Sequence, residues 1–212
     1  MMNTTADRQQ AWAQRAIPAW PGYVGFLWAL IYAVFVRFYQ AAGGTIGLPG
    51  RLEKPETFYM ASYVAGVVVL FAGFVMLALV KPWGKVVPAS MPWIGGRRVR
   101  PGILFVPALL GSAFAVAHGV SGFITKALDL AGMMTIHFQG WEVVDVHRLI
   151  LWDMLFYEPW FIVIGVLAGM AAFHYAQASS MPRSVIRRIA IFFISFVILL
   201  TALFVWAIMV LF

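Results

Sequence analysis

The sequence contains no cysteine. Disulfides, thiolate zinc sites, iron–sulfur clusters and cysteine nucleophiles are therefore excluded. Charge is nearly as scarce. Asp, Glu, Lys and Arg make up 11% of the 212 residues, and only 8 are acidic. A soluble domain carries about 25% charged residues. What fills the space is oil: apolar types reach 63%, against roughly 45–50% in soluble domains. A water-soluble fold has too few polar side chains to cover that much apolar surface. The composition specifies an all-α, multi-pass integral membrane protein and excludes a soluble enzyme, a disordered linker or a nucleic-acid reader. The net charge of +7 does not reverse this, because Lys and Arg cluster between apolar runs, as they do in cytoplasmic loops.

A helix needs about 20 apolar residues to cross the hydrocarbon core. Five stretches qualify: about Pro21 to Ala42, Phe58 to Val80, Ile103 to Thr125, Leu149 to Ala176, and Ile189 to Phe212. They are continuously apolar and lack the alternation of a barrel strand. Gly43-Gly44, Pro82, Pro101-Gly102 and Met181-Pro182 punctuate them. Residues 1–17 read as a cytoplasmic segment without a cleavable signal pattern, and 18–212 as one transmembrane helical domain. The loop with Lys81, Lys85, Arg97, Arg98 and Arg100, and the loop with Arg183, Arg187 and Arg188, carry no acid. These belong in the cytoplasm of a bacterial inner membrane, with the N-terminus inside and the C-terminus outside. Trp20, Trp83, Trp93, Trp141 and Trp152 fall near expected interfaces as an aromatic belt.

Ionisable groups inside a span are expensive, so their positions are informative. Helices one, three and four hold Arg37, Gln40, His118, Asp153, Glu158 and His174, and are expected to form the inner bundle. Helix five is apolar on every side apart from Ser195 and Thr201, and suits a lipid-facing position. On helix three, Gly111, Ala115, His118 and Gly122 line one stripe; on helix four, Gly165 and Gly169 share a face with Glu158 and His147. Small residues on such stripes let helices approach closely. All the embedded ionisable groups except His174 fall in the outer half of the membrane, which predicts a polar pocket there.

Candidate catalytic residues are Glu158, Asp153 and His118. Asp153 and Glu158 fit an acid/base pair, a structural ion pair or a ligand site. Five apart on an α-helix, they diverge by about 140° and should not grip one atom together. Arg37 is the natural partner for either. His118 fits an interhelical hydrogen bond best, ahead of a proton shuttle or metal ligand, and no helical His-x-x-x-His or Glu-x-x-His spacing supports a metal. Candidate ligand-binding residues are Arg37, Gln40, Tyr59, Tyr63, His147 and Arg148. Arg37 and Lys126 fit an anionic head-group site or snorkelling to the interface, and snorkelling is the expectation for Lys126. Gly43 to Gly47 reads as a turn, since it lacks the Gly-Lys-Ser/Thr ending of a phosphate loop.

Phe38-Tyr39-Gln40-Ala41-Ala42-Gly43-Gly44-Thr45-Ile46-Gly47-Leu48, together with Leu151-Trp152-Asp153 and Glu158-Pro159-Trp160-Phe161 before Gly165, resembles a family of small actinobacterial multi-pass membrane proteins of unknown function. The resemblance implies membrane location and helical fold, and brings no activity or cofactor with it. The expectation for function is a binding or accessory protein whose outer-half site engages a membrane lipid, a lipophilic small molecule or a membrane protein partner. A membrane enzyme acting on a lipophilic substrate, and a small transporter or channel formed by a homo-oligomer, are the alternatives.

Overall fold

The structure, a computed structural model, describes residues 17–211. The expected N-terminal segment lies outside these residues apart from Ile17. Five helices are long and apolar enough to cross a membrane: α1 (Trp20–Ala41), α2 (Pro55–Val80), α3 (Pro101–Leu130), α4 (Val146–Ala178) and α5 (Arg183–Leu211). The chain is a membrane protein of five-helix architecture. Several helices outrun the apolar stretches in the sequence. Apolarity marks the hydrocarbon core, whereas a helix continues into the interface wherever its backbone stays hydrogen-bonded.

The bundle is organised around α4. Helix α4 packs most extensively on α3 and also on α1 and α2, while α1 pairs with α2 and α3 with α5. The expected inner trio of α1, α3 and α4 is thus refined: α1 and α3 sit on different flanks of α4 and converge on it. None of the most hydropathic window of α5 is buried, as expected of a lipid-facing helix.

Close approach of α3 and α4 follows from glycine, but on a different stripe from the expected one. Ser112 Oγ donates to Gly165 O at 2.6 Å. A Cβ on Gly165 would meet the Val116 nitrogen at 2.8 Å and Ser112 O at 3.0 Å; one on Gly119 would meet Glu158 O at 2.7 Å. The contact face of α3 is therefore Ser112, Val116, Gly119 and Gly122. Gly111, expected on that face, has nothing within 4 Å of its Cβ position. On α4, Gly165 and Gly169 line the contact face, as expected.

At one end of the bundle, β1 (Gly50–Leu52) pairs antiparallel with β2 (Trp141–Val144), with a bulge between Arg51 and Leu52. This ribbon joins the α1–α2 and α3–α4 connections. At the other end lie the two purely basic loops. There Ile17 N donates to Gln177 Oε1 at 2.9 Å, and the His174 ring nitrogen Nδ1 lies 2.7 Å from Ile17 O. His174, the outlier among the embedded polar groups, serves this local tie. Trp93 is 94% exposed at the tip of the α2–α3 loop, as an interfacial anchor would be.

Candidate functional site

Two π-helical turns shape the site. One interrupts α1 at Ala33–Phe38 and the other interrupts α4 at Asp153–Tyr157. A π-turn bonds residue i to i+5 and inserts one extra residue into the helix, and such bulges recur at functional sites. In α4 the cause is local. Pro159 has no N–H for the Leu155 carbonyl and its ring crowds that carbonyl, so the helix widens just ahead of it. Glu158 N–H instead reaches the Asp153 carbonyl.

That one bond overturns the expected 140° divergence. Residues five apart sit one above the other across a π-turn, so both carboxylates point the same way and clasp one cation. Lys126 Nζ lies 3.2 Å from Asp153 Oδ2 and bonds Glu158 Oε1 still more closely. The side chains are largely buried: 4% exposed for Glu158, 12% for Lys126 and 20% for Asp153. Lys126 therefore does not snorkel. Two carboxylates one π-turn apart on α4 offer it a nearer counter-charge than the interface does. Gly122, four residues before Lys126 on α3, makes room, because its Cβ would overlap the Glu158 carboxylate.

Arg37 was the expected partner of these carboxylates and is not. Its guanidinium sits 5.3 Å from the Tyr32 ring centre, and Nη1 makes one long hydrogen bond of 3.5 Å to Gln40 Oε1. Tyr32 and Arg37 are also five apart, and the π-turn in α1 again stacks them. Gln40, buried, donates through Nε2 to the Tyr157 hydroxyl at 2.9 Å, which ties α1 to α4. His118 Nε2 lies 3.9 Å from Glu158 Oε2, beyond hydrogen-bond reach. Its ring meets Phe161 edge-on at 4.5 Å and stacks with Phe114 at 6.0 Å. The expected interhelical hydrogen bond is thus replaced by aromatic packing.

These groups surround a cavity of about 290 Å³, bordered by Arg37, Gln40, His118, Lys126, Asp153 and Glu158. Five of the nine expected site residues line this cavity. The other four do not. Tyr63 is exposed and packs on Phe38 at 5.7 Å; Tyr59 lies beside Gly43, and its neighbour Phe58 borders the cavity instead. His147 and Arg148 are exposed, with Arg148 Nε 3.2 Å from Asp145 Oδ2. The residue inserted by the α4 π-turn rotates everything before it relative to Glu158, so His147 leaves the face on which an unbroken α-helix would put it.

Tyr157 and Trp141 border the cavity without having been singled out in the sequence, and Lys126 borders it in place of snorkelling. Lys126 had a legible signal in its i, i+4 spacing from Gly122. Trp141 had none, because β2 places it, and there it pairs with Leu52 of a distant loop. The Gly43–Gly47 turn is as expected: Gly43 and Gly47 adopt φ +88° and +82°, a region costly for residues with a Cβ. Gly47 also packs directly on the Tyr157 hydroxyl. Among the described residues no group of three His, Asp or Glu side chains has metal-binding geometry. No protein-family model, curated protein or solved structure matches this chain, so its chemistry is read from its own residues.

Proposed function

We propose that this chain is a binding or accessory protein of a bacterial cytoplasmic membrane. In this reading its cavity receives the polar head of a lipid-like small molecule in the outer half of the bilayer. One observation carries the reading. Both cavity carboxylates are committed to Lys126, while Arg37 borders the same cavity with no carboxylate partner among the described residues. An embedded cation without a counter-ion is costly, and an anionic or polar head group supplies what the protein withholds. Each carboxylate already serves as a counter-ion of Lys126, and that role favours binding over acid/base catalysis.

Purification of the full chain in mild detergent, followed by mass spectrometry of co-purifying small molecules, tests this. An amphiphile enriched several-fold over its share of the membrane, and depleted in R37A, is the expected result. Recovery of lipids only in bulk proportions in both proteins would count against it. The purely basic loops at the other end of the bundle support the outer-half placement. Cysteine labels added at the exposed residues 53 and 97 of this cysteine-free chain should react from outside and inside respectively, and the reverse pattern would invert the site.

A further inference from the structure

We infer that the bound molecule is a single-chain amphiphile with an anionic head, its head oxygen at Arg37 and its chain in an apolar groove between α2 and α3. This inference rests on the head-binding reading above and adds the ligand class and a second subsite.

The groove is a separate cavity of about 350 Å³, within the roughly 300–1,000 Å³ usual for small-molecule sites. Val68 and Ala72 of α2, Gly111 and Phe114 of α3, and Trp160 and Phe161 of α4 define it. Its wall is apolar apart from Ser112, whose hydroxyl is already engaged by Gly165 O. A polar molecule would find no partner there, and an alkyl chain loses nothing. Phe71 and Phe114 on its rim are 69% and 53% exposed, so the groove opens sideways toward the bilayer, from which a chain can slide in.

The two cavities are neighbours. Phe161 borders both. His118 on the polar side is sandwiched between Phe161 and Phe114, the latter on the apolar side. The boundary is one layer of rings, and a molecule with one charged end and one long apolar end matches the order of surfaces it would meet. Charge chooses the head. Arg37 has a buried Nε without a hydrogen-bond acceptor, so a phosphate or carboxylate oxygen pairs with it as no neutral head can. Glu158 Oε2 is buried without a donor, and a hydroxyl on the head would serve it.

The test uses the full chain in phosphatidylcholine nanodiscs, with labelled dodecyl phosphate, laurate, dodecyl maltoside and butyl phosphate, each measured as saturable retention above empty nanodiscs. Dodecyl phosphate or laurate should be retained and dodecyl maltoside should not; the two anions together tell phosphate from carboxylate preference. R37Q should weaken retention of the anionic chain at least about tenfold, with partial recovery in R37K. G111L fills the groove where a Cβ meets nothing, and A72L fills it from the exposed face of α2. Each should weaken dodecyl phosphate about tenfold while leaving butyl phosphate unchanged. If R37Q abolishes retention but G111L and A72L do not, the groove is wrong and the head site stands. Equal retention of dodecyl maltoside overturns the anionic head. Absence of saturable retention for all four compounds overturns both the groove and the head-binding reading.

Discussion

Replacing Lys126 with Met is expected to destabilise the bundle by about 3–5 kcal/mol, the range for removing one partner of a buried ion pair. The variant leaves Asp153 and Glu158 facing each other at the end of α3 with their shared cation gone. The loss should appear as a lower midpoint in denaturation by sodium dodecyl sulfate or heat in detergent. The triple variant K126M, D153N, E158Q should recover most of it, because neutral amides need no counter-charge and can hydrogen-bond to one another. If K126M unfolds at the wild-type midpoint, the clasp holds nothing together, and the cavity's charge arrangement loses the structural role assigned to it here. Recovery in the triple variant also separates the charge effect from lost packing of the lysine stem, which that variant does not restore.

Two glycines one helix apart should respond in opposite ways. Gly165→Ala places a methyl against the backbone of α3, 2.8 Å from the Val116 nitrogen and 3.0 Å from Ser112 O. Backbone cannot rotate aside as a side chain can, so α3 and α4 must separate along their whole contact. Overpacking of this kind costs about 1–3 kcal/mol. It should also weaken the Ser112 hydrogen bond to Gly165 O. Gly111→Ala, on the stripe expected from sequence to be the contact face, meets open space and should gain about 0.5–1 kcal/mol from helix propensity alone. Thermal midpoints of the two proteins measured in the same detergent decide the matter. Equal shifts would mean that the α3 face has been assigned to the wrong residues.

The contrast between those glycines shows where sequence reasoning succeeds and where it slips. Gly165 and Gly169 were legible because the part of α4 that carries them is a regular helix, and a 100° step keeps its accuracy over one or two turns. On α3 the same arithmetic found three small residues aligned with His118, but small residues also occur where a helix borders an empty groove. Alignment says which residues share a face and is silent on what that face meets. The ribbon of β1 and β2 was invisible for another reason: three or four residues in each strand carry no periodicity, and their pairing is decided by the proximity of two loops.

The sequence alone determined the membrane location, the number of spans, the apolar character of α5 and which spans carry Arg37, Gln40, His118, Asp153 and Glu158. These follow from transfer free energies, which act residue by residue and can be summed along a chain. Who pairs with whom was decided by the tertiary structure. Two π-turns, each adding one residue, reset the facing of Arg37 and brought Asp153 and Glu158 together on Lys126. A rotation of that size is invisible to hydropathy, because it moves no residue to a different depth in the bilayer and changes only the direction in which each side chain points.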